Sequence, residues 1–137
     1  MKLKMDEKHL NQDGTLVVDV DGTICDIKRE GESYSDVRPR IDFIEKLREY
    51  HNKGYRILLY TSRNMKTYSN NVGLINRHTA PVLLEWLERW NVPYDEILFG
   101  KPWPRKNGFY IDDRAIRPNE FLSLSEEEIH TMLGKEH

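Results

Sequence analysis

Asp19 and Asp21 stand two residues apart at the end of the apolar run TLVVDV (15–20), immediately before Gly22. On a continuing strand, side chains two apart share a face. At about 4 Å and an effective dielectric near 20, two such carboxylates repel by roughly 4 kcal/mol. A divalent cation relieves that repulsion, and oxygen-only ligands suit Mg²⁺ better than zinc. The pair can also divide labour, because unequal environments push two pKa values apart. One carboxylate then stays ionised as nucleophile or ligand, and the other holds a proton for a leaving group. Gly22 lets the chain turn sharply and bring backbone N–H groups near a phosphate.

These residues need elements to position them. TLVVDV, YRILLY (55–60), DEILF (95–99) and GFYID (108–112) read as four short strands. Between them, Ile41, Ile44 and Leu47 mark a helix that begins near Pro39 and ends at Gly54. Leu83, Trp86, Leu87 and Trp90 mark a second, with Thr79 as its cap. Ser125 and Glu128 have capping-box spacing ahead of a C-terminal helix. Strands alternating with helices predict an α/β fold, a mainly parallel sheet with helices on both faces. Ligands of such sheets bind beyond the C-terminal strand ends. That edge would gather Asp19 and Asp21, Thr61 and Ser62, Lys101, and Asp112 and Asp113. There Thr61 can donate to a phosphoryl oxygen, and Lys101 is a point charge for the nucleophile and the equatorial oxygens.

The order of these segments carries a resemblance. VVDVDGTIC, LLYT, GKPW and FYIDD, from about residue 15 to 120, resemble the four motifs of the haloacid dehalogenase (HAD) superfamily. The resemblance implies a Rossmannoid three-layer sandwich. It makes Asp19 the nucleophile, Asp21 the general acid/base, Thr61 the phosphate-binding hydroxyl and Lys101 the motif lysine. It also implies Mg²⁺ held by Asp19, the backbone carbonyl of Asp21 and the acidic pair Asp112–Asp113. A narrower likeness lies in YTSRNMKTYSNNVGLINRHT, VPYDEILFGKPW and GFYIDDRAIRPNEF, which look like small HAD-type phosphatases of bacterial capsular-polysaccharide synthesis. It implies a phosphorylated sugar or sugar-derived precursor as substrate.

Neither interval between motifs is long enough for a cap domain. A capless site is therefore expected, open or covered by a neighbouring subunit of a homo-oligomer. The polar stretch 62–78 then becomes the candidate for substrate selection, with Arg63, Asn64 and Lys66 as anion contacts. A phosphotransferase or phosphomutase would share the aspartyl-phosphate step. A phospho-accepting signalling domain would carry its acidic pair first and its phosphorylated Asp on a later strand, unlike the order here. A catalytically silent binding module would not need Asp19, Asp21, Thr61 and Lys101 together.

Composition sets the frame. The 137 residues are 38% hydrophobic and 32% charged, with 21 basic against 23 acidic side chains and no basic block. This fits a globular chain and gives no footprint for nucleic acid. Residues 1–14 read as a polar leader without a signal-peptide core, and 15–137 as one domain. Cys25 is the single cysteine, so no internal disulfide forms, and no apolar run approaches the roughly 18 residues that span a bilayer. A reducing cytoplasm is the expected setting, with no membrane partner.

Overall fold

The structure, a computed structural model, describes residues 14–134. The expected leader, apart from Gly14, lies outside the described residues. The described residues gather into two compact units, the first ending at Trp103 and the second beginning at Pro104.

The first unit is an α/β arrangement built on a three-stranded parallel sheet, β1 (Thr15–Val18), β2 (Arg56–Thr61) and β3 (Glu96–Phe99), in the order β1-β2-β3. Register places Val18 beside Leu59, and Thr61 beside Phe99. The strand-forming runs are the apolar, β-branched segments of the sequence, and the long helical connections between them supply the crossovers that parallel pairing needs. Burial alternates along β2: Ile57, Leu59 and Thr61 are buried, and Arg56, Leu58 and Tyr60 less so. The opposite face is more open, with Val17 61% and Leu98 49% exposed, so the expected burial of both faces is not seen at these positions.

Helix α1 (Ile41–Asn52) buries Phe43, Ile44, Leu47 and Tyr50, so Ile44 and Leu47 lie on the buried face as expected, whereas Ile41, expected with them, is 53% exposed at the first turn. Gly54, at φ 103°, turns the chain into β2 in a conformation that glycine adopts without strain. Helix α2 (Ala80–Arg89) buries Leu83, Trp86 and Leu87, and the Trp86 indole donates to the Val37 carbonyl at 2.9 Å. Trp90, expected on the same face, is 38% exposed at the helix end.

The second half of the stretch expected as a loop is helical. A short turn, Val72–Leu74, runs into a π turn, Ile75–Thr79, and then into α2. Asn71 caps this run by accepting from the Leu74 N–H, and Ile75 supplies a fully buried anchor. Pro81 cannot donate to a carbonyl four residues back, and its ring crowds that carbonyl, which accounts for the widened turn just before it.

The second unit contains α3 (Pro118–Ser123) and α4 (Glu126–Gly134). The capping box read from sequence is present: the Ser125 N–H donates to Glu128 at 2.9 Å, and the Glu128 N–H donates to the Ser125 hydroxyl at 3.1 Å. The expected fourth strand is not. Residues 108–112 adopt no regular secondary structure, with Phe109 76% and Ile111 90% exposed. Alternating apolar residues express a strand only when they find a neighbour to pair with and a face to bury, and these do neither. Among the described residues, no helix is long and apolar enough to cross a membrane.

The fully buried Leu59 sits mid-strand in β2, so Leu59→Ala removes a packed side chain where the sheet cannot collapse. A loss of about 2–5 kcal/mol in unfolding free energy is expected, measured by urea denaturation.

Candidate active site

The strand β1 ends at Val18, and the next seven residues wind into a tight loop instead of continuing it. The Val20 carbonyl accepts from the N–H groups of Thr23, Ile24 and Cys25, and the Gly22 N–H donates to the Cys25 carbonyl at 2.8 Å. Gly22 has φ 86°, the left-handed region where a side chain is strained. The glycine thus makes the turn, as its position suggested. Its N–H, expected to face a phosphate, is spent on closing the loop. Arg40 braces the loop from outside, donating to the Gly22 carbonyl at 2.7 Å and to Asp26 at 3.1 Å.

The two carboxylates have different partners. Asp19 receives the Thr23 hydroxyl at 3.2 Å and the Lys101 ammonium at 3.5 Å. Asp21 receives Arg63 in bidentate fashion, Nε to Oδ2 at 3.1 Å and Nη2 to Oδ1 at 2.9 Å. Each acid therefore has its own cation. Burial pushes the Asp19 carboxyl above its ordinary value, against Lys101, Thr23 and the Val20 backbone, which pull it down. The charge of Asp21 raises it further and is the smallest of these influences.

Thr61, at the end of β2, is 1% exposed. Its hydroxyl accepts from the Arg63 N–H at 3.1 Å, which leaves the hydroxyl's own hydrogen to donate. The Thr61 carbonyl accepts from the Lys101 N–H at 3.1 Å, and Gly100, at φ 86°, lets the chain turn there from β3. The ends of β1, β2 and β3 thus bring Asp19, Asp21, Thr61 and Lys101 into one network, carried by hydrogen bonds from Lys101 to Asp19 and from Arg63 to both Thr61 and Asp21.

The stretch after β2 differs from expectation. Arg63, read as a surface anion contact, is 3% exposed, and its guanidinium lies 4.3 Å from the centroid of the Tyr34 ring. Its fork is already filled by Asp21, so it does not reach outward. Asn64, at φ 62°, donates to the Thr67 hydroxyl and accepts from the Thr79 hydroxyl at 2.7 Å, a loop-bracing role. Lys66 is exposed, with its ammonium 5.7 Å from the Trp103 ring centroid. Ser62 is half-buried, and its carbonyl accepts from the Met65 N–H. Thr23 was missed in the sequence, although its place four residues after Asp19, past an Asp-Gly turn, was the available signal. Tyr34 lies in a polar segment with no such signal.

Asp112 and Asp113 lie in the second unit and are exposed; the Asp112 carboxylate accepts from the Arg114 N–H at 2.8 Å. Within each unit, among the described residues, no group of three or more His, Cys, Asp or Glu side chains is gathered around a metal position. In the first unit the donors that would suit Mg²⁺ are oxygens, the part-buried Asp19 carboxylate above all. Mg²⁺ commonly takes only one or two carboxylates, with water and substrate phosphate completing the shell, so this oxygen-only set fits.

With this geometry in place, comparison with known proteins is informative. No family model matches the chain, and neither does any curated protein. Among solved structures, a crystal structure of an MCSG target from Vibrio cholerae matches at a TM-score of 0.86 and 54% identity, covering 90% of this chain and 99% of that one. The chain belongs to that protein's family. The shared length spans most of this chain and nearly all of the neighbour, so the likeness is not confined to a single motif.

Within this family fold, Cys25 is a packing residue. It is fully buried, and burial, then the Asp21 charge, pushes its thiol up to about 12. Native protein is expected to resist iodoacetamide at about pH 8 and to react fully in urea, read by mass spectrometry. A second expectation concerns Asp19. Because its folded-state pKa is raised, the ionised carboxylate opposes folding at neutral pH, and the opposition fades as pH falls through that pKa. Without added metal, Asp19→Asn should melt higher than wild type at about pH 7, with the gap closing at acid pH. Equal melting temperatures across that range would show that Lys101 and Thr23 compensate the buried charge fully.

Proposed function

We propose that the chain is a capless, HAD-like, Mg²⁺-dependent phosphomonoesterase acting through an aspartyl-phosphate. The observation that carries this reading is the environment of Asp19. It is a part-buried carboxylate at a parallel-strand end, held by Lys101 and Thr23, with Thr61 and the separately paired Asp21 in the same network. A structural aspartate gains nothing from desolvation, whereas a nucleophile does, because a poorly solvated oxygen attacks more readily.

The reaction balances as two in-line displacements. An Asp19 oxygen attacks phosphorus and forms a P–O bond while the ester P–O bond breaks. The departing oxygen takes the proton of Asp21 and leaves as alcohol. Asp21, now ionised, removes a proton from water, and the resulting hydroxide attacks the aspartyl-phosphate. That second P–O bond to Asp19 breaks, phosphate leaves, and both carboxyls return to their starting states. Lys101 steadies the Asp19 charge, and the Thr61 hydroxyl donates to a phosphoryl oxygen. Asp19 and the Asp21 backbone carbonyl would hold Mg²⁺ in the first unit, where it would supply charge neutralisation for the phosphoryl oxygens.

The substrate class rests on the narrower likeness: a sugar phosphate or sugar-derived precursor of surface polysaccharide. Lys66 beside Trp103 supports it, since an aromatic face next to an ammonium suits a phosphorylated ring.

A screen of phosphorylated metabolites and p-nitrophenyl phosphate with Mg²⁺ tests the reading. Steady phosphate release is expected, abolished by EDTA and by Asp19→Asn, and reduced about 10²–10⁴-fold by Asp21→Asn. Both variants should keep the wild-type circular dichroism spectrum. Wild-type-like turnover in Asp19→Asn would remove the nucleophile from the scheme.

A further inference from the structure

One segment of the second unit has the sequence of a strand and, among the described residues, no strand beside it. Residues 108–111 read Gly-Phe-Tyr-Ile, an uncharged run dominated by strand-forming types. Phe109 and Ile111, two apart, would share one face of a strand, and they stand 76% and 90% exposed. The turn that presents the run is fixed by its own backbone. Arg105 holds φ 66°, and a Cβ on Gly108 would come within 2.1 Å of the Pro104 carbonyl oxygen, so only glycine fits there. Proteins blunt an exposed, uncharged strand of this kind with charge, or they cover it.

The first unit offers an edge that matches. β1 and β3 are the outer strands of the sheet, and each has one edge unpaired among the described residues. The two edges differ in charge. β3 opens on Asp95 and Glu96, charges of the kind that keep a further strand away. The β1 run TLVV carries none, and its Val17 is 61% exposed. A strand added at that edge gains backbone hydrogen bonds, and its side chains become cross-strand neighbours of Leu16, Val17 and Val18. At about 150–250 Å² for a large side chain, the exposed parts of Phe109, Tyr110, Ile111 and Val17 amount to roughly 500 Å², and a reciprocal pair to about 1,000 Å², the size a specific interface must reach. Within one chain the segment is left exposed, so the occupant that fits the edge is the segment of a second copy. Each chain carries one segment and one edge, and a reciprocal exchange therefore closes as a two-fold dimer that leaves neither uncovered.

We propose that two copies of this chain associate by strand exchange, the segment Gly108–Ile111 of each adding to the outer edge of β1 in the other. The inference draws on sheet edges and exposed apolar surface alone, so it stands or falls independently of the phosphatase reading.

Size-exclusion chromatography with light scattering, on full-length protein, gives the mass of the assembly. Twice the 16.3 kDa of one chain is expected. Ile111→Asp and Val17→Lys each place a charge at the exchange, and each should weaken the dimer about 30-fold or more while keeping the wild-type circular dichroism spectrum. The two substitutions lie in different units, so if one variant fails to fold the other carries the test. Cross-linking then shows whose segment is docked. In the double variant Val17→Cys with Ile111→Cys, a short bis-maleimide should join two chains, and the native Cys25 is buried and does not compete. A monomeric wild type, or a dimer that the folded charge variants leave intact, would overturn the proposal. So would a cross-link formed within one chain, or none at all.

Discussion

Two carboxylates two residues apart at the end of a strand repel unless their charges are compensated. In this chain the solution is one cation for each: Lys101 for Asp19 and Arg63 for Asp21. Both acids sit at the tight loop that Gly22 turns and the Val20 carbonyl closes. Other local features serve the arrangement. The end of β2 supplies Thr61 and Arg63, the end of β3 supplies Lys101, and the hydrogen bond from the Lys101 N–H to the Thr61 carbonyl ties the two together.

The division gives the acids different characters. Asp19 is left undercompensated by a 3.5 Å contact to a single ammonium and a hydroxyl, and burial wins. Asp21 is gripped on both oxygens. A group with residual charge demand suits attack on phosphorus and a hard cation; a group fixed in orientation suits proton transfer, where geometry decides the rate. Each role therefore follows from what surrounds the residue, and the bare Asp-x-Asp-Gly pattern would not distinguish them.

Much of this was legible in the sequence because it is local. The apolar runs of β1, β2 and β3, the stripe Ile44–Leu47 of α1, and the Ser125–Glu128 box all depend on residues within a few positions of one another. What the sequence concealed depends on distant partners. Arg63 meets Asp21 across 42 positions, and nothing in SRNMK separates a buried fork from a solvated one. The helical character of 72–79 turns on Ile75 finding a buried place, which polar neighbours disguise. GFYID shows the converse: its pattern promised a strand, and the pairing that would make it one is not there. Thr61 and Lys101 were expected at the same edge as Asp19 and are found there, whereas Asp112 and Asp113 belong to the second unit.

The account turns on a covalent bond between Asp19 and phosphorus. The stereochemical course at phosphorus tests this most directly, using a phosphate monoester made chiral with oxygen isotopes and hydrolysed in the presence of Mg²⁺. Two in-line displacements predict net retention of configuration. Net inversion would mean that water attacks the substrate in a single step, and Asp19 would then have to be reassigned from nucleophile to ligand or base.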